Sequence, residues 1–450
     1  MTTAAVAAEP DLVIARARVF DGRSAQLREN AEILIAAGKV VEIRTAGGIG
    51  APVVAATPGA ATGAPRVIDA GNRIVIPGLI DAHVHPTIAV PIAQLRDNDP
   101  NYVASRSTVE ARRMLLRGFT TIRDMAGPSF GLKQAIDEGV IEGPRIFPSG
   151  AMVSQTSGHG DFRGRSGTPR RWTGELDVTE RLGYGLIADG PDEVAAAVRE
   201  QLRAGASQIK LAAGGGISSL YDPIDSVQYF EQELGAAVQA AADWGTYVAV
   251  HAYTPAAIRR SVEAGVRSIE HAHLVDEATM KLIAERGVFL SPQAYVFGGV
   301  FAGGAPSAAG PPPTAAQLAQ REKSRMVSAG LDRMMKLAKK HGVKIAFGTD
   351  VFGGSRVFDW ESREFGARLP WFTSLEILRQ ATSINGELLA LSGARNPYAG
   401  GQLGVIEPGA WADLLVVDGN PLEDIRVLED PQRSLRVIVK DGKVVRSTLD

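Results

Sequence analysis

The chain has 450 residues, 45% of them apolar and 22% charged, with 48 basic and 50 acidic side chains giving a net charge of −2. These are ordinary globular values, enough for one large domain and a smaller one, and the near-neutral balance excludes nucleic acid and an anionic membrane as expected partners. With no cysteine in the chain, disulfides, thiolate–metal sites and a cysteine nucleophile are excluded.

The opening stretch, MTTAAVAAEPDLVIARARVF, lacks a basic segment followed by an uninterrupted apolar one. No stretch approaches the ~20 apolar residues of a membrane span, so a cytoplasmic protein is expected. Residues 10–72 alternate short β-type runs with turns, in DLVIARARVFDG, AEILIAAGKVVEIR and RVIDAGNRIVI. Apolar, β-rich runs follow near 75–85, 118–124, 144–153, 207–213, 245–251, 266–271, 287–292 and 342–350. Helical patterns stand between most of them. PDEVAAAVREQLRAG (191–205) ends on Gly205, TPAAIRRSVEAG (254–265) opens with a Thr cap and a Pro, and DEATMKLIAERG (276–287) ends on Gly287. Eight strands alternating with helices predict a (β/α)8 TIM barrel, enlarged by insertions. Two insertions stand out: the Gly- and Arg-rich stretch 158–190, and GGVFAGGAPSAAGPPPTAA (298–316), a loop that could cover a site. The C-terminal stretch returns to β texture in GQLGVIEPGAWADLLVVDG and LRVIVKDGKVVRS, the second a hairpin turning at Asp441-Gly442. Both chain ends are therefore expected to form one small β-sandwich domain, from residues 1–74 and 393–450, around a barrel at 75–392.

Chemistry in such a barrel gathers at the C-terminal ends of the strands. The first strand ends in PGLIDAHVHP (77–86), where alternation turns His83 and His85 the same way. The fourth carries Lys210 inside SQIKLAAGGG, the fifth ends at His251, the sixth contains His271 and His273, and the eighth ends at Asp350. Each alone is weak, but together they place five of the seven histidines, a lysine and an aspartate at one end of one barrel. Imidazole with carboxylate suits Zn2+ and other first-row divalent ions. A buried ammonium between two cations would lose its proton. The neutral amine can take up CO2 and become a carbamate, N6-carboxylysine, bridging two metals with a hydroxide between them.

This arrangement resembles the amidohydrolase superfamily, in the subtype whose carboxylated lysine bridges two metals. The resemblance covers the whole barrel and the split β domain. It implies that His83 and His85 bind the more buried ion, His251 and His271 the outer one, that Lys210 bridges them, and that Asp350 binds the buried ion and handles protons. A narrower resemblance is to the branch of metal-dependent prolidases, Xaa-Arg and Xaa-Pro carboxypeptidases and ochratoxinases. It is carried by GFTTIRDM (118–125), SQTSGHGD (154–161), DPIDSVQY (222–229), HAYTPAAIRRSVEAGVRSIEHA (251–272) and ATSINGELLAL (381–391). Relatives of this kind often form homo-oligomers. His273 matches no ligand position; its alternation puts it on the face of His271, where it would stand behind a ligand or meet substrate.

The expected reaction is hydrolysis of a C-terminal amide or peptide bond in a small, dipeptide-like substrate with a free carboxylate, ochratoxin-type N-acyl-phenylalanine amides included. Hydroxide attacks the carbonyl, Asp350 acts as base and then acid, and His159 helps hold the oxyanion. Tyr221, which departs from the branch in the loop after Lys210, and Arg163 and Arg165 are candidates for binding the carboxylate. A mononuclear deaminase or imidazolone-type hydrolase is disfavoured, because Thr254 stands where many such enzymes place a proton-shuttling Glu. A phosphotriesterase-like reaction is expected only on the side. A non-catalytic scaffold is disfavoured because all six ligand positions are filled.

Overall fold

The computed structural model describes residues 9–45, 65–300 and 314–449. Most of the candidate loop at 298–316 lies outside them.

The two chain ends meet in one eight-stranded sheet. Leu12–Val19, Arg28–Ala36, Lys39–Thr45, Arg66–Asp69 and Ile74–Pro77 come from the N-terminal side, and Leu414–Val417, Leu435–Lys440 and Lys443–Ser447 from the C-terminal side. The seam is the antiparallel pair of Ile74–Pro77 with Leu414–Val417, Val75 opposite Val416. Both residues are buried in a core with Ile14, Ile33, Ile35 and Val437, so the alternating pattern seen in each end is completed by the other. The last hairpin turns at Asp441 (φ +54°) and Gly442 (φ +69°). Two left-handed residues match the twist of the flanking strands, which is why an Asp-Gly pair occupies the turn.

Between these ends every strand pair is parallel. One sheet holds Leu79–Val84, Phe119–Asp124 and Arg145–Phe147. Another holds Gly185–Ile187, Met152–Ser154, Ile209–Ala212, Val248–Ala252, Ser268–His271 and Phe289–Ser291, in that order. Helices such as Pro191–Ala204, Pro255–Glu263 and Glu277–Glu285 return the chain between strands. Leu79–Val84, Phe119–Asp124, Ile209–Ala212, Val248–Ala252 and Ser268–His271 are buried at every residue, the reason they read as continuous apolar runs rather than alternating ones. Gly205 closes its helix at φ +106°. Thr254 stands at the N-cap of its helix, but its hydroxyl makes no capping bond. The insertion at 158–190 folds into two short helices, Arg170–Thr173 and Val178–Arg181, and the strand Gly185–Ile187.

The stretch 342–350 departs from expectation, forming no regular strand. It still lies between the two sheets. Leu290 donates to the Lys344 carbonyl (3.0 Å) and Ala346 to the Leu290 carbonyl (2.8 Å) on one side; Ala82 donates to the Phe347 carbonyl (2.8 Å) on the other. Polar side chains replace the missing ladder bonds. Asn385 accepts from the Phe347 amide (3.0 Å) and donates to the carbonyls of Phe347 (2.8 Å) and Ile80 (2.6 Å). Buried Arg368 donates to the Ala346 carbonyl at 2.9 Å. Among the described residues no helix is long and apolar enough to cross a membrane.

Asn385 is fully buried and serves three backbone groups. Asn385→Ala would strand them, so stability should fall by about 2–4 kcal/mol, read as a lowered denaturant midpoint at unchanged slope. A midpoint within about 0.5 kcal/mol of the parent would show that this side chain does not hold the seam.

Candidate metal centre

Two imidazoles at the end of Leu79–Val84 face one carboxylate. Asp350 Oδ1 lies 3.1 Å from His85 Nε2 and 3.5 Å from His83 Nε2. In both rings the other nitrogen is committed elsewhere. His85 Nδ1 donates to the Ala126 carbonyl at 3.1 Å, and His83 Nδ1 donates to Glu270 Oε2 at 2.7 Å. Those acceptors set the tautomer, leaving each Nε2 as a lone-pair donor. Potential ligand atoms of His83, His85 and Asp350 all fall within 4.8 Å of one another, so this trio can hold a metal ion. Asp350 reaches its position through a left-handed backbone, φ +55°, a conformation Asp tolerates better than bulkier residues. Its amide donates to the His83 carbonyl at 2.7 Å.

Lys210, His251 and His271 stand beside this trio. Parallel register sets Lys210 against Ala249, His251 against Ala212, and His271 against Ala252. The His271 ring lies 5.0 Å from His83 and 4.5 Å from His251, centroid to centroid. His271 Nδ1 bonds Gln293 Oε1 at 2.6 Å and His251 Nε2 bonds the Gly215 carbonyl at 3.1 Å, so each retains one nitrogen for another partner. Neither joins the close trio.

Burial sets the protonation states. It pulls the His83 imidazole down to about 4, helped by the Lys210 charge, and holds His251 and His271 well below their ordinary value. Lys210 is pulled down to about 8 by burial, against the opposing pull of Glu270 and Asp350. Burial alone would raise Asp350, but His83, His85 and Lys210 outweigh it and keep the carboxyl below its usual range. Neutral imidazoles, an ionised carboxylate and an amine close to deprotonation are the states in which these groups bind cations.

The remaining candidates divide. His159 stacks on His251 with centroids 4.0 Å apart, and its Nδ1 meets Ser219 Oγ at 2.7 Å. A Cβ on Gly216 would come within 1.9 Å of that ring, so only glycine fits there. His159, Arg163 and Tyr221 line one cavity of about 1090 Å³ with the metal trio, Lys210, His251 and His271. Arg163 is engaged by Asp161, Nε to Oδ1 at 2.8 Å. Arg165 lies over the exposed Tyr221 ring, 5.6 Å from its centroid, and His273 is fully buried against Phe297 at 4.2 Å; neither lines the cavity. Sequence reasoning missed Glu270, its ion-pair partner Arg123 at 2.8 Å, Gln293, and Tyr253, whose ring meets His251 edge-on at 4.8 Å. The first two left a trace, charged residues inside the apolar runs VRSIEHAHL and GFTTIRDM.

Residues 74–445 match the profile of the Amidohydrolase family. The ochratoxinase of Aspergillus niger is 31% identical over 393 residues, spanning 83% of this chain and 76% of that protein. A prolidase solved with N-methylphosphonate-L-proline superposes with a TM-score of 0.84 at 36% identity, covering 97% of this chain and all (100%) of the other. A Xaa-Pro dipeptidase with bound methionine gives 0.80 at 30% identity, covering 97% and 100%.

Neutral buried histidines make the protein acid-sensitive. His83 and His159 are held near 4 and His273 near 3, against an ordinary value of 6.5. Between those limits these three imidazoles bind more protons in the unfolded chain than in the folded one, so their contribution to stability is full above about pH 6.5 and falls as pH drops toward 4, with buried Asp124, raised to about 6, acting in the opposite sense. In chelator-treated protein, urea midpoints should decline over that window, each imidazole contributing up to about 1.4 kcal/mol per pH unit. A flat profile from pH 7 to 4 would contradict the assignment.

Proposed function

The chain belongs to the amidohydrolase family, and on that premise we propose that it hydrolyses the amide bond joining an acyl group to a C-terminal amino acid. The observation that carries this reading is Lys210. A lysine amine, buried and depressed to about 8, stands among neutral imidazoles and one carboxylate on the wall of the large cavity. That cavity is apolar along Ile88, Phe162, Leu220 and Phe352, which suits a hydrophobic acyl or amino-acid side chain. The relatives named above, an ochratoxinase and two enzymes of prolidase type, point to the same bond. The parallel strands, bridged at 344–347 on one side and continued through 145–154 on the other, support a (β/α)8 barrel over 75–392 carried by a domain from 1–74 and 393–450.

We assign His83, His85 and Asp350 to one divalent ion and His251 and His271 to a second, Zn2+ suiting both donor sets. The close trio and the free nitrogen on each remaining ring fit that role. Lys210 would join the two as its carbamate: the ammonium first gives up one proton, then the neutral amine nitrogen bonds the carbon of CO2 and loses a second, so that a cation becomes an anion. When bound, the ions supply an activated water and a Lewis acid for the scissile carbonyl.

The chain's own groups do the rest. Asp350, ionised at neutral pH, accepts the water proton at a carboxylate oxygen and delivers it to the leaving nitrogen. His159 Nδ1 shares a hydrogen bond with Ser219 Oγ, and in the tautomer protonated on Nε2 the ring would donate from that nitrogen to the developing oxyanion. Gly216 and the stacked His251 ring keep the His159 imidazole in place.

Purified protein should carry about two divalent ions per chain and cleave members of an N-acyl amino-acid panel containing Xaa-Pro, Xaa-Arg and ochratoxin-type Phe amides. Lys210→Met should lose an ion and at least about 100-fold in kcat/KM. Asp350→Asn should lose about 10²–10⁴-fold. One ion per chain with ammonia released from nucleobases and no amide cleavage would overturn the reading.

A further inference from the structure

Three arginines line the cavity, and two are already neutralised. Arg96 donates to Asp177 at 2.7 Å, and Arg163 to Asp161 at 2.8 Å. The third, Arg321, is exposed, and among the described residues no carboxylate lies within ion-pair distance of it. It sits on the helix Ala315–Ser328, whose Gln317, Gln320, Arg321 and Ser324 face the cavity at the spacing of one helix side.

That helix is fixed in place by a single ammonium. Lys323 Nζ donates to the carbonyls of Gly216 (2.9 Å), Ser219 (2.9 Å) and Asp222 (2.6 Å), which uses all three of its donors. Gln320 adds a longer bond to the Ser218 carbonyl, 3.4 Å. The loop held this way is the one that packs His159 through Gly216 and Ser219. Helix and loop are therefore tied together, and Arg321 and His159 line the same cavity.

We propose that Arg321 is the anchor for the free carboxylate of the substrate, held at its post by Lys323. The inference rests on the amide-hydrolase reading above. A substrate with a C-terminal carboxylate brings negative charge into a cavity that already holds Asp350. Arg96 and Arg163 are spent on their own acids, and Lys210 as a carbamate repels an anion. Among the cavity-lining arginines, the Arg321 guanidinium is the one left to meet it, with a planar fork that matches a carboxylate better than the Tyr221 hydroxyl does. Sequence alone favoured Tyr221, Arg163 and Arg165; the ion pair to Asp161 removes the first arginine, and Arg165 lies outside the cavity lining.

The test uses metal-loaded protein, N-acyl amino acids with the corresponding carboxamides, and N-methylphosphonate-L-proline with its carboxamide as non-hydrolysed probes. Wild type should prefer the acids in both turnover and calorimetric binding. Arg321→Gln should erase about 10- to 100-fold of that preference, mainly through KM and probe affinity, and Arg321→Lys should restore part of it. Lys323→Met should weaken the preference while leaving Arg321 in the chain. Arg325→Gln, on an exposed arginine paired with Glu322, should keep the wild-type ratio. An acid preference that survives Arg321→Gln overturns this assignment and leaves the amide-hydrolase reading standing. No cleavage of any acid or carboxamide by wild type overturns both.

Discussion

A buried Arg–Glu pair underlies both the fold and the site. Arg123 and Glu270 are fully inaccessible and meet at 2.8 and 3.0 Å. Burial would push Glu270 up, but Arg123 and His83 hold it well below the usual carboxylate range. Arg123 also donates to the Ala82 carbonyl (2.5 Å) and the Tyr247 hydroxyl (3.1 Å). One guanidinium thus ties together Leu79–Val84, its own strand Phe119–Asp124, the start of the strand at 248 and Ser268–His271. Desolvating two charges is costly, and a well-packed apolar pair could replace them at no loss of stability. What an apolar pair could not do is accept the His83 Nδ1 proton and so aim Nε2 at Asp350. The expensive pair is explained by the imidazole it orients.

The same trade appears where the strand pattern breaks. Residues 344–350 give up a regular ladder, and Asn385 and Arg368 take over the backbone bonds. Freed from the pleat, the chain can turn at Asp350 into a left-handed conformation and set the carboxylate over the two histidines. His271 also has positive φ, +78°. Two of the residues assigned to metal therefore sit on backbone an ordinary strand would not allow; Asp350 is braced by its amide hydrogen bond to the His83 carbonyl and His271 by its ring bond to Gln293.

Much of this was legible in the residues. Period-two alternation gave His83 and His85 one direction, Asp441-Gly442 announced its hairpin, and the β texture of both ends anticipated a shared sheet. The polar residues at the strand ends, His273 excepted, do converge on one cavity. The rest was hidden for physical reasons. Alternation places Glu270 and His271 on opposite faces, so nothing local says that Glu270 reaches back to a histidine 187 positions earlier. The stretch 342–350 has strand composition, but its partners are side chains, which composition does not encode. Arg163 looked free because its acid lies only two residues away, and such a close pair reads as a charged turn. Nothing local distinguishes Lys323 from the other charges of its helix, because its three carbonyl acceptors come from a loop about a hundred residues earlier.

Charge balance also explains why Lys210 belongs in the centre. Glu270 is matched by Arg123, and burial holds the His83, His251 and His271 imidazoles below their ordinary value, which leaves Asp350 as the negative group without a permanent partner. A protonated Lys210 can serve that purpose, and Asp350 does raise its proton affinity. Burial works the other way and leaves the amine at about 8, within reach of losing its proton near neutrality. Any cation drawn to His83, His85 and Asp350 would add repulsion and tip that balance, so an arriving divalent ion and the lysine proton exclude each other. On the proposed metal assignment an incoming ion would exchange one positive charge for another, and the amine left behind would be a nucleophile where an ammonium had been.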